Sequence, residues 1–336
     1  MSAAAARAGR VAKAARPRGI SGFVVRRVLL GLLTLFLVSI VVFAATQALP
    51  GDAARAILGR DATPQSLATL RKQLHLDQPV VQQYTHWLGS FVTGDLGHSL
   101  VANEPVSQLI GTPILNSLFL MLIAGLISIP LSIVLGSVAA RRRDGVFDHS
   151  SSMTLLGLAA LPEFVTSIAL VVLFGTTVFH ILPPVSLIPP GQRPWDDWKE
   201  LVLPVTALVL AVTPYIARIM RASMIEVLES DYVEMARLKG MREQTVLWRH
   251  ALPNGIAPTI QVIALSLAYL AGGIVVVERV FAYPGIGNAF VEAVSNRDLP
   301  TVQALAILIA AAYVVLNVGA DVATILVSPR LRTSLK

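Results

Sequence analysis

Glu163 and Asp321 are the acidic residues that fall inside long apolar stretches of this 336-residue chain. A carboxylate at such a depth is costly, so each is a candidate for lining a solute pathway. Each also has a structural alternative. Glu163 can satisfy backbone donors freed around Pro162 or sit in a water-filled vestibule, and Asp321 can pair with an arginine. The other reactive side chains form no recognisable constellation. The six histidines, at 75, 86, 98, 149, 180 and 250, are scattered, and none forms an i,i+4 pair with a neighbouring Glu. There is no Gly-x-Ser-x-Gly elbow, and no cysteine for thiol chemistry, disulfides or metal ligation. No Gly-Lys pair occurs, so a phosphate-binding loop of the G-x4-G-K-[ST] type is excluded. Catalysis on this chain is therefore not expected.

The elements that hold these residues belong in a bilayer. Hydrophobic residues make up 54% of the chain and charged ones 14%, with a mean hydropathy of +0.68. Soluble domains carry about 25% charged residues. The net charge of +7 does not point to nucleic acid, because the basic residues cluster at the ends of apolar segments. Six spans are expected, at about 28–48, 115–139, 151–182, 201–219, 256–277 and 302–326. The first follows a basic segment, 1–27, and is too long for the core of a signal peptide. The third is interrupted at Leu161-Pro162, since proline removes a backbone hydrogen bond. Between the first two spans, residues 50–112 read as a small two-helix subdomain. One helix starts at Thr63-Pro64 with Leu67, Leu70 and Leu74 on a face. A second, capped by Asp77, carries Val80, Tyr84, Trp87, Leu88 and Phe91.

With six spans, both termini share a side. The segments assigned to the cytoplasm then hold 19 of the 27 Lys/Arg residues, including Arg141, Arg142 and Arg143. That bias places the N and C termini, and the loop after the fourth span, in the cytoplasm. Asn116 and Asn317 are expected to hydrogen-bond between helices, and Gly272-Gly273 to allow close helix packing.

The loop at 223–253 is the most informative stretch. Ile225, Leu228, Tyr232, Met235, Ala236 and Lys239 recur at helical spacing, and Gly240 stands where the pattern stops. A second short helix is expected from about Arg242 to His250, ended by Leu252-Pro253. Glu234-x-Ala236-x3-Gly240, followed by Leu252-Pro253, resembles the EAA loop of ABC importer permeases. Met235 replaces a second alanine, and His250 stands where an apolar residue is common. The flanking Arg221-Ala-Ser-Met and Arg249-His-Ala-Leu-Pro-Asn254 resemble the dipeptide/oligopeptide/nickel branch. So do the 50–112 block, the stretch from Glu278 through Phe281 and Gly285 to Gly287, and the Ser328-Pro-Arg330-Leu-Arg332 tail.

The resemblance covers about residues 20–333 and implies an all-α polytopic protein with the type I ABC importer permease fold. It implies a six-span permease domain over 28–333 in a bacterial inner membrane, passing di- or oligopeptides. Nickel, haem or another small solute is the alternative cargo. A secondary transporter or a membrane scaffold is the alternative class, although no inverted repeat is visible. The implied partners are a related second permease subunit, two ATPase subunits that bind ATP and Mg, and an external substrate-binding protein. Tyr232, Glu234, Met235, Ala236, Lys239, Gly240, Arg249, Leu252 and Pro253 are the positions implied for ATPase coupling. In that role Glu234 is a polar anchor, Ala236 permits close approach and Gly240 makes the turn.

Overall fold

The computed structural model describes residues 19–48, 63–73, 77–189 and 191–327. Among these there is no β-strand, only an isolated bridge between His98 and Pro105. The helices are α1 (Gly19–Ala48), α2 (Pro64–Gln73), α3 (Val80–Val92), α4 (Val106–Arg141), α5 (Val146–Ala160) and α6 (Glu163–Leu170). They continue as α7 (Lys199–Leu228), α8 (Asp231–Leu238), α9 (Glu243–Thr245), α10 (Leu252–Val280), α11 (Ile286–Ser295) and α12 (Leu299–Val327). π-Helical turns at Val171–Thr176 and Val246–Ala251 extend α6 and α9.

Five stretches are long and apolar enough to cross a bilayer: α1, α4, α7, α12 and the continuous run Glu243–Val280. The sixth is broken. α5 and α6 meet at Leu161-Pro162 with a bend of 107°, as the proline in the sequence requires. The core is built on α7, two-thirds of whose apolar window is buried. It packs along α4, where Gly136 lets the backbones approach. A Cβ there would lie 2.6 Å from the Ala217 carbonyl oxygen.

α1 lies antiparallel to α12. Arg27 pairs with Asp321 at 3.1 Å near one end, and Gln303 Nε2 donates to Thr46 Oγ1 at 2.7 Å near the other. Gly19 and Val327 thus reach the same end of the bundle as the loop after α7, here called the elbow end. At the far end α3 lays Tyr84 and Trp87 against Phe43 of α1, with ring centroids 5.4 and 5.6 Å away. The aromatic face of α3 is thus a packing face.

Several expectations change. Pro79, not Asp77, occupies the N-cap of α3, and no side chain caps it. Leu74, all of 50–62 and the tail from Ser328 lie outside the described residues, as does the Leu70 side chain. α4 begins nine residues before the expected span, because Val106 and Ile110 are buried against Ala293, Val302 and Leu305. Leu252-Pro253 ends nothing. The helix runs from Glu243 through the π turn into α10, with Pro253 in its first turn. The widened turn accommodates a residue with no N–H to donate. Asn116 does bond between segments, its Nδ2 donating to the Pro284 carbonyl at 2.8 Å. Asn317 instead bonds Tyr313 O of its own helix. Gly273 faces the Glu163 carboxylate, whereas Gly272 meets nothing within 4 Å.

Candidate functional site: the elbow, the broken span and the far-end latch

The elbow is made by two sharp changes of direction. α7 stops at Leu228, and Ser230 takes an extended conformation that starts α8. α8 stops at Leu238, and Gly240 has φ +75°, the left-handed geometry that favours glycine. The backbone closes there with Gly240 N donating to Arg237 O (2.9 Å) and Met241 N to Ala236 O (3.3 Å). Arg237 then straps α8 to α9. Its Nη2 and Nε reach Glu243 at 2.8 and 3.2 Å, and its Nη1 reaches Leu228 O at 3.3 Å. The Glu243 carboxylate raises the pKa of the Arg237 guanidinium above its ordinary value.

The apolar residues of the elbow divide between two faces. Val233, Ala236 and Val246 are buried together, with Val227, Leu228 and Met241 around them. Tyr232, Met235, Leu238 and Trp248 are 45, 54, 74 and 60% exposed. The stripe expected through Tyr232, Met235 and Ala236 therefore mixes an inner and an outer face, because the break at Glu229-Ser230 rotates α8 relative to α7. Ala236 points inward, so its small size serves internal packing. Glu234, Lys239, Arg249 and Pro253 are exposed, and Leu252 is half-buried.

Ion pairs tie the elbow end to the broken span. Arg221 of α7 donates from Nε and Nη2 to both oxygens of Asp148 at 2.5 and 2.6 Å. Asp144 N adds a third bond to Asp148 at 3.0 Å. Arg143 pairs with Glu229 beside it.

Asp148 was not legible as a buried acid, since it falls just before the third apolar segment. Of the two acids that were, Asp321 has Arg27 as a partner. That ion pair accounts for it without a pathway role. Glu163 stands at the first position of α6, at the bend, with its carboxylate against Gly273 of α10. Its Oε1 is buried and accepts no hydrogen bond.

At the far end Glu278, in the last turn of α10, is fully buried. Ser117 Oγ donates to its Oε1, and the Gly287 and Asn288 N–H groups donate to Oε2 at 2.7 and 3.3 Å. The carboxylate thus occupies the donor-rich N-terminus of α11. Asp298 follows α11, its N–H donating to the Ala293 carbonyl at 2.9 Å. Its carboxylate ties the loop before α4 to α12, accepting from Ser99 Oγ (2.5 Å), Leu100 N (3.0 Å) and Thr301 Oγ1 (2.7 Å). Sequence reading placed no carboxylate of this kind at membrane depth apart from Glu163 and Asp321. The available signal was Gly285-Ile-Gly287, a tight turn with free N–H groups. Among the described residues, no group of three or more His, Asp or Glu side chains could hold a metal ion.

A bundle of five long apolar helices and one broken span, with a protruding helical elbow at one end, defines a polytopic membrane transport component. Residues 132–333 match the family model described as the binding-protein-dependent transport system inner membrane component. Residues 20–110 match the N-terminal model of the same system. A protein of Brucella abortus named for a peptide transport system permease is 36% identical over 93% of this chain and 99% of its own length. The glutathione transport system permease GsiC of Escherichia coli K12 is 34% identical over 92% and 98%. This chain belongs to the binding-protein-dependent inner membrane component family: it is an ABC importer permease, the membrane component rather than the ATPase.

Proposed function

We propose that this permease passes short peptides across a bacterial inner membrane and takes its driving force through the elbow at 223–253. The observation that carries the reading is the outer face of the elbow. Tyr232, Met235 and Leu238 are exposed apolar residues on α8, which is strapped to α9, and Trp248 is exposed on the π turn that follows α9. A patch of that kind beside basic residues suits a protein groove better than water or lipid. The groove belongs to an ATPase subunit, one of two, which binds ATP and Mg. A related second permease completes the pathway, and a substrate-binding protein delivers cargo at the far end. The elbow end is cytoplasmic, because it carries Arg141, Arg142, Arg143 and the basic elbow. Closure of the ATPases moves the elbow as a body, and Arg221–Asp148 passes that movement to the broken span.

Peptides are the favoured cargo because the relatives are named for peptide and glutathione transport. The test is ATPase activity of the purified complex, with and without binding protein loaded with peptide or nickel. Peptide-loaded protein is expected to stimulate it. Leu238→Asp combined with Met235→Asp, both on the exposed face, is expected to release the ATPase subunits while the membrane helices stay folded. Retention of those subunits in full amount refutes the coupling surface. Stimulation by nickel alone refutes the cargo.

A further inference from the structure

Three polar side chains from three different helices converge where the third span breaks. Glu163 begins α6, Tyr215 lies in α7 and Tyr269 in α10. The Tyr269 side chain lies beside the Glu163 carboxylate, one turn before Gly273 on α10, and Tyr215 is near enough to Tyr269 to act on it electrostatically. Neither phenol is covered by the chain. Tyr215 is 48% exposed, Tyr269 50%, and Phe164 beside Glu163 49%.

Their depth makes that exposure informative. Measured from the far end, Tyr215 stands about 24 Å along α7 and Tyr269 about 17 Å along α10, at 1.5 Å per residue, against a hydrocarbon layer of about 30 Å. A surface of two phenols and a carboxylate at that level is poorly matched to lipid chains, which offer no hydrogen bonds. It faces water or a polar solute instead. The other acids buried within the described helices have their partners: Asp148 has Arg221, Asp298 has Ser99 and Thr301, and Glu278 has Ser117 and the start of α11. Glu163 has a buried oxygen without a hydrogen bond, as does Glu200 in the first turn of α7, and Gly273 leaves room for the Glu163 carboxylate. A Cβ at Gly273 would stand 2.6 Å from Oε1 and would evict it.

We propose that Glu163, flanked by Tyr269 and Tyr215, binds the protonated amino group of the cargo as it passes the broken span. Carboxylate and phenol oxygens supply acceptors for the three N–H bonds of an ammonium, and the phenol faces supply cation–π attraction. The inference rests on the peptide-importer reading, since peptides and glutathione both carry a free α-ammonium.

The experiment uses the assembled transporter in proteoliposomes with its binding protein, and follows uptake of labelled trialanine and labelled glutathione. Three variants are compared with the wild type: Glu163→Gln, Glu163→Asp and Tyr269→Phe. Loss of a charge-assisted bond predicts about a tenfold or greater fall in uptake for Glu163→Gln. Glu163→Asp keeps most of the activity, and Tyr269→Phe falls about two- to fivefold. Stimulation of the ATPase by loaded binding protein persists in all three, because docking at either end is untouched. Wild-type uptake by Glu163→Gln overturns the proposal while leaving the importer reading intact. Equal loss in the Gln and Asp variants, or loss of the second permease on purification, also overturns it, since the group would then be structural or paired with the partner. No uptake of either compound by the wild type refutes the importer reading itself.

Discussion

Removing one partner of the Asp148–Arg221 pair should damage this permease very unequally. The Asp148 side chain is 3% exposed, whereas that of Arg221 is 31% exposed. Arg221→Ala therefore leaves a buried carboxylate with a single remaining donor, the Asp144 N–H. Stranding a buried charge costs about 3–5 kcal/mol. Asp148→Ala leaves a guanidinium that can still reach water, and its loss is limited to hydrogen bonds to a charged group, about 1.5–3 kcal/mol. Asp148→Asn falls below both, because the amide oxygen still accepts from Arg221.

The assay is thermal unfolding of the detergent-purified complex, read by intrinsic tryptophan fluorescence, across the two single alanine variants and the double. The double variant is expected to be more stable than Arg221→Ala alone, because it removes the stranded charge. Transport should fall in every variant lacking the pair, since α7 no longer steers the broken span. Equal destabilisation by the two single changes, or strict additivity in the double, would refute the reasoning that Asp148 is held in place by Arg221.

Three further outcomes follow from local geometry. Gly240→Val should uncouple ATPase stimulation with little steric cost, since a Cβ there meets nothing within 4 Å. The penalty is the left-handed backbone alone, about 1–2 kcal/mol, so Gly240→Asn should keep most of the coupling, and equal defects in the two would contradict this account. Gly285→Ala would drive a methyl group into the Glu278 carboxylate and unseat α11. Hydrogen exchange of Ile286–Ser295 should then accelerate by an order of magnitude or more, and unchanged protection would show that Glu278 does not hold the helix. Phe43→Ala removes the ring on which Tyr84 and Trp87 rest. Limited proteolysis should become faster within Val80–Val92 while α4 and α7 stay protected, and an unaltered digestion pattern would argue against the packing role.

Much of this architecture is written in hydropathy. The spans, the break at Leu161-Pro162 and the turn at Gly240 follow from apolar run length, from the missing N–H of proline and from the freedom of glycine. The elbow was legible as a helix pair, but the division of its faces was not. One continuous period over Ile225 to Lys239 cannot register the reorientation at Glu229-Ser230, which turns Ala236 inward and leaves Met235 and Leu238 outside. Pro253 misled for a related reason. A proline normally closes a helix, yet after a π turn the ladder has already slipped, and the helix continues. The buried acids Asp148, Glu278 and Asp298 sit at span ends, where a charge looks solvated. Only contacts between residues 73 to 199 positions apart show otherwise.

Those end-placed acids give the bundle an asymmetry with mechanical meaning. At the far end the Glu278 carboxylate joins α4 to the start of α11, and the Asp298 carboxylate joins the loop before α4 to α12, each accepting backbone N–H groups or hydroxyls. Such bonds are short in reach and fixed in direction, so α4, α10 and α12 move there together. At the elbow end the ties are ion pairs on longer side chains, Arg221–Asp148, Arg143–Glu229 and Arg237–Glu243. Guanidinium arms can pivot without breaking. Under the coupling proposed above, a displacement applied at the elbow would reach α5 through Asp148, while the far end would resist it. The strain concentrates where the helix ladder is already interrupted, at Leu161-Pro162. The side chain next after that joint is Glu163, whose buried Oε1 accepts no hydrogen bond.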